Sequence, residues 1–97
     1  MKEKETSIFS LRHGHEIKLP KFKEVAPHAV VITTEQADIL IHYNSIIAVV
    51  TTKGEVFLGK DWNYSKTTAK IRNNFLGETT KETQKHIDNE DYLIKNI

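Results

Sequence analysis

Cysteine is absent from this 97-residue chain. That removes disulfides, thiolate zinc sites, iron–sulfur clusters and thiol nucleophiles together. Glycine occurs only 4 times and never in a cluster, so no Gly-rich phosphate loop can be built. No serine sits in a Gly-x-Ser-x-Gly elbow. No apolar run approaches the roughly 18 residues of a membrane span. The opening Met1-Lys2-Glu3-Lys4-Glu5-Thr6-Ser7 lacks the apolar stretch of a signal peptide. These absences lead us to expect a cytoplasmic protein with no membrane partner. Neither sign of charge dominates: 14 Lys and Arg against 13 Asp and Glu give +1. That argues against a DNA-packaging protein or an acidic mimic of DNA, while leaving room for local patches. With 38% apolar and 28% charged residues, the composition is that of a folded domain. We read residues 1–97 as one domain, with 1–5 as a disordered lead.

What is present is concentrated. Residues 30–58 hold 16 apolar residues in 29 positions, and Ile, Val and Thr dominate there. β-branched side chains favour the pleated strand over the helix. Short runs broken by turn formers predict a meander: 30–34, 38–43, 46–51 and 55–59, with Asn44-Ser45 and Lys53-Gly54 among the turns. Phe9 and Leu11 on one arm, and Ile17 and Leu19 on the other, predict an earlier hairpin turning at His13-Gly14. Pro20 and Pro27 bracket residues 21–26, which confines that segment to an edge strand or ordered loop.

After Gly59 the period changes. Ser65 is placed to N-cap a helix over 65–76 with Thr68, Ile71 and Phe75 on its inner face and Gly77 ending it. Ile71 and Phe75 are expected against Val49, Ile47 or Phe57. Thr79-Thr80-Lys81-Glu82 has capping-box spacing, which predicts a second short helix. Residues 91–95 read as a last strand or a docked tail. The fold class is therefore α+β: an antiparallel meander with one main C-terminal helix on a face and a second short helix. Ile46, Ile47, Val49 and Val50 supply apolar groups to both faces of a sheet that one good helix covers on one side only. A homodimer is the expected consequence.

In a strand, His13 and His15 would point the same way, but Gly14 makes a turn there and no third ligand follows. His28, His42 and His86 are scattered, and Glu35 with Asp38 reads as a solvated hairpin end. The expectation is a non-enzymatic protein with no catalytic residue, metal or cofactor. The richest segment is Lys60–Arg72, with four cations and one anion. Lys66 and Lys70 are four apart and share an exposed helical face that Asn73 and Asn74 extend. Trp62 and Tyr64 offer rigid contact area to a partner, and with Lys66 and Lys70 form the candidate protein-binding surface. The alternative is nucleic acid held by Ser65, Lys66, Thr67, Lys70 and Arg72, with phosphate at the helix start. The structural alternative is that Ser65 only caps, the lysines are solvated and the aromatics cover the core edge. A second cationic stretch, Arg12, Lys18, Lys21 and Lys23, makes a basic face if the fold brings it near. Glu78, Asp88, Glu90 and Asp91 make the C-terminal end acidic, so the charge is polarised.

Tyr43-Asn44-Ser45-Ile46-Ile47-Ala48-Val49-Val50, then Tyr64-Ser65-Lys66-Thr67-Thr68-Ala69-Lys70, then Phe75-Leu76-Gly77 resembles small uncharacterised accessory proteins of Gram-positive phages and mobile elements. Those proteins often carry Tyr-Ser-x-Thr-Thr-x-Lys after a Tyr-Asn-Ser/Thr strand start. The likeness spans residues 42–77, about a third of the chain. Where that pattern leads us to expect a histidine after the lysine, this chain has Ile71, so a site relying on that histidine is absent. The resemblance implies a host-cytoplasmic accessory protein acting by binding. Such a protein would inhibit a host defence nuclease in the manner of an anti-CRISPR protein, regulate transcription or modulate replication.

Overall fold

The computed structural model describes residues 19–97. The hairpin expected over residues 9–19, the histidine pair at 13 and 15, and the 1–5 lead lie outside the described residues, Leu19 excepted. Five strands run in order: β1 (Lys21–Ala26), β2 (Ala29–Thr33), β3 (Ala37–His42), β4 (Ser45–Thr51) and β5 (Val56–Leu58). Then come helix α1 (Lys66–Leu76), helix α2 (Thr80–Asp88) and strand β6 (Tyr92–Ile94). All six strands form one sheet in sequence order. The first five pair antiparallel, as short turns between them require. β6 instead pairs parallel with β5. The two helices supply the long crossover that a parallel neighbour demands. The α+β architecture is the one the sequence predicts, and the parallel edge strand is its addition.

Register sorts the strand residues into two faces. Ala29 opposes His42, Val31 opposes Leu40, Leu40 opposes Ala48, and Ala48 opposes Leu58. Leu40, Ala48, Leu58 and Ala29 are fully buried, and Ile71 of α1 packs into them. A bulge between Leu40 and Ile41 gives β4 an extra residue, so Ile47 is buried beside Ala48. Ile71 therefore meets Ile47, as expected. Val49 and Phe57, by contrast, occupy the opposite face from Leu40 and cannot reach α1. That correction follows from strand alternation, since Val49 is next to Ala48 and Phe57 next to Leu58.

α1 begins and ends as its sequence dictates. The Ser65 side chain accepts from the Thr68 N–H at 3.1 Å. Gly77 takes a left-handed φ of 72°, and its N–H returns to the Asn73 carbonyl. α2 has the full capping box: Glu82 N–H donates to the Thr79 hydroxyl, and Thr79 N–H donates to the Glu82 carboxylate.

Candidate binding cleft at the turn end of the sheet

Two hairpin turns lie side by side at one end of the sheet, because Ala26 pairs with Ala29 and Ala29 pairs with His42. The β1–β2 turn is Pro27-His28 and the β3–β4 turn is Tyr43-Asn44. His28 has φ 62° and Tyr43 has φ 59°, the left-handed region where an L side chain crowds its own backbone. Each such residue costs about 1–2 kcal/mol, and glycine is the usual solution. Here side chains are kept instead. The Tyr43 N–H donates to the His28 carbonyl at 2.7 Å. The two rings stack with centroids 4.6 Å apart and planes 15° from parallel. His42 adds a tilted ring 4.7 Å from Tyr43. Tyr43 remains 64% exposed.

The first turn of α1 closes the other side. His42 is buried, and its Nδ1 lies 2.9 Å from the Thr68 hydroxyl, which in turn lies 3.1 Å from the Ser65 hydroxyl. This chain of hydrogen bonds fastens the helix start to the end of β3. Between the turns and the helix opens a cleft of about 510 Å³. Lys66, Thr67, Lys70 and Asn74 line it from α1, and His28 and Tyr43 from the turns. None of its lining residues is a carboxylate. α1 has no acidic residue in its first turn, so its positive dipole end is uncompensated by its own sequence. Among the described residues, neither lysine has a carboxylate within ion-pair distance.

The candidate residues separate clearly. Lys66, Thr67 and Lys70 are exposed at the cleft. The Ser65 side chain is committed to its cap. Tyr64 is 79% exposed but does not line the cleft. Trp62 is half-buried against the core, and the Arg72 guanidinium carbon sits 4.9 Å from its ring centroid. Arg72 itself is fully buried. It donates to the Trp62 carbonyl at 2.6 Å, to Asn63 and Asn73, and to the Thr80 hydroxyl at 2.8 Å. Burial lowers its pKa, and nearby Glu78 works in the opposite direction. The suggested phosphate contact from Arg72 is therefore corrected: it is a clamp joining the 59–65 loop, α1 and α2, with no surface to offer a ligand. Asn73, expected on the exposed face, bonds inward to Thr80.

Lys21 and Lys23 lie on the helix side of β1, whose last residue Ala26 and following Pro27 line the cleft. Arg12 and Lys18 lie outside the described residues. Sequence reading missed His28 and Tyr43. Their signal was a two-residue Pro-His or Tyr-Asn link between β-branched runs, which specifies a tight turn but not a left-handed aromatic.

Glu78 is the other polar centre. It accepts from the Thr83 hydroxyl and from the Tyr92 phenol at 2.7 Å, and His86 stands 3.7 Å away. His86 stacks on Tyr92 and bonds Asp91. The acidic end expected from the sequence is partly spent in this knot. Among the described residues, no three His, Asp or Glu side chains gather as a metal site. No helix of the described part is long and apolar enough to cross a membrane.

The fold and cleft together define a small α+β protein with a cationic, aromatic-walled recess at one end of its sheet. The chain belongs to the DUF8033 family, a family of unknown function, which matches it over residues 6–91. No curated protein and no solved structure matches it.

Proposed function

We propose that this protein acts by binding, without turnover, and that the cleft takes a strand of single-stranded nucleic acid. One observation carries the reading. Two lysines one helical turn apart, without a carboxylate in ion-pair distance among the described residues, stand at a helix start with no acidic residue in its first turn and face an exposed aromatic stack in a recess lined by no carboxylate. Phosphate suits the lysines and the free N–H groups of the first turn. A base suits the Tyr43 face, since stacking on an aromatic is tolerant of sequence. The protein would then be an accessory factor that occupies a strand rather than processes it. The net charge of only +1 fits a short contact over a broad electrostatic one.

A protein partner is the second reading, favoured by the exposure of Tyr64 beside the cleft. The phage or mobile-element role that the resemblance implies, with inhibition of a defence nuclease, belongs to this second reading, because such inhibition acts through a protein surface.

Fluorescence anisotropy with a labelled oligothymidylate separates the two. Two neutralised phosphates give a log–log salt slope of roughly −1.4, hence about a sevenfold loss of affinity from 50 to 200 mM salt. The Lys66→Glu, Lys70→Glu double variant should stay folded, because solvated lysines contribute little to stability, and should lose binding at both salt concentrations. Unchanged binding by that variant, or none by the wild type, would contradict the nucleic-acid reading.

A further inference from the structure

The sheet has a second face, and its pattern is unusual. Phe22 opposes Ile32, Ile32 opposes Ile39, Ile39 opposes Val49, Val49 opposes Phe57, and Phe57 opposes Leu93. One row across all six strands is thus apolar from edge to edge. The next row continues Val30–Ile41–Ile46. No residue of the six-strand row is buried, whereas Ala29, Leu40, Ala48 and Leu58 on the helix face are buried completely. Phe22 is 68% exposed and Leu93 48%. The described helices pack on the other side, through Ile71.

We propose that a second copy of this chain covers this face, as an isologous two-fold dimer of sheets packed face to face. Two observations choose that occupant. The first is charge. Of the four acidic and basic residues in the described strands, Lys21, Lys23, Glu24 and Asp38, only Glu24 lies on the apolar face, since Lys21 and Lys23 alternate with Phe22, and Asp38 with Ile39. One residue past β6, Lys95 places its ammonium 4.3 Å from the Phe57 ring centroid, so it is on the same face. Glu24 belongs to the β1 edge and Lys95 to the β6 edge, both displaced toward the turn end from the Phe22–Leu93 row. A two-fold axis parallel to the strands exchanges these edges. It sets each Glu24 opposite the partner copy's Lys95, and each Phe22 opposite the partner copy's Leu93. The face is thereby complementary to itself, apolar in the middle and oppositely charged at its two ends.

The second observation is size. Six strands at ~4.8 Å spacing, averaging about five residues each at ~3.4 Å rise, make a face equivalent to roughly 29 by 17 Å. Pairing two such patches buries on the order of 1,000 Å², the lower bound for a specific interface. Aligned sheets of this kind stack ~10 Å apart with their side chains interdigitated. The dimer leaves the cleft free, because the cleft lies on the helix side.

Sedimentation equilibrium of the full chain from about 1 to 200 µM tests this, with circular dichroism as the check on folding. The wild type should pass from 11.2 kDa toward twice that mass across the range. Phe22→Glu, at an exposed edge position, should keep the spectrum and weaken association by about tenfold or more. Glu24→Lys alone and Lys95→Glu alone should each weaken it about three- to tenfold. The two changes together should restore it, because the pair is re-formed with its signs exchanged. A wild type that stays at 11.2 kDa throughout would overturn the proposal. So would a dimer indifferent to Phe22→Glu, or a double charge exchange no better than the single ones.

Discussion

Tyr43 shows how the turn end trades stability for a surface. Its backbone sits at φ 59°, a conformation glycine adopts freely. A Tyr43→Gly variant gains that freedom and loses the stacking on His28 and the tilted contact with His42. The two effects oppose each other, so its stability should stay within about 1 kcal/mol of wild type. Its affinity for an oligothymidylate should fall by about tenfold or more, the loss expected for one stacked base. Urea denaturation and anisotropy on the same preparation make the comparison. A variant that is much less stable and binds unchanged would make Tyr43 a structural residue. The same residue-level logic explains why Arg72 misleads in sequence. It follows Lys66 and Lys70 in a basic run, yet it sits beside Ile71 on the inward side of the helix. Its two terminal nitrogens donate there to four oxygens, while its Nε has no partner among the described residues.

At the level of elements, much of the chain was legible. α1 could be read because Ser65, the Thr68–Ile71–Phe75 spacing and Gly77 each report a local physical requirement. α2 could be read from its capping box alone, although its only fully buried residue is Thr83. The strands from β2 to β5 could be read from β-branched runs, whereas the bracketing prolines left residues 21–26 open between an edge strand and an ordered loop until the structure showed β1. Lys66, Thr67 and Lys70 were found because an exposed helical face follows from the buried one. His28 and Tyr43 were not found, because positive φ at a non-glycine residue leaves no mark in composition. The link from β5 to α1 depends on Gly59, where a Cβ would overlap the Ile46 carbonyl. That link is also held by the Ser45 hydroxyl donating to Asp61 at 2.9 Å. Gly59→Ala should therefore cost roughly 1–3 kcal/mol in urea denaturation, since the overlap is with backbone that cannot turn aside. A cost below about 0.5 kcal/mol, typical of surface changes, would mean the approach is looser than described.

Across the whole molecule, the feature least visible in sequence is the return of the chain. β6 holds the far edge, parallel to β5, and Tyr92 ties that edge to α2 through Glu78. Its three residues carry no pattern that distinguishes a parallel edge strand from a docked tail. Burial first, and then the bond to Glu78, raise the Tyr92 pKa above its ordinary 10.0. A phenol whose pKa is higher folded than unfolded supports the fold fully below its unfolded value and loses that support as pH rises past it. Tyr92→Phe should thus be less stable than wild type near pH 8. The gap should narrow from about pH 10 upward, as ionisation is favoured only in the unfolded wild-type chain. Thermal melts of the pair at stepped pH measure it, and a gap constant to about pH 11 would contradict the assignment. Charge is likewise a whole-molecule property. The +1 total conceals a recess lined by two lysines and no carboxylate at one end, and a satisfied Glu78 knot at the other.

A ¹H–¹⁵N correlation titration of the full chain with an oligothymidylate of about twelve nucleotides locates the bound strand residue by residue. Binding in the cleft gives saturable shifts confined to His28, Tyr43, Lys66, Thr67, Lys70, Asn74 and their immediate neighbours. Shifts centred instead on Tyr64 or on the Phe22–Leu93 row, or a spectrum unchanged at millimolar oligonucleotide, would contradict it.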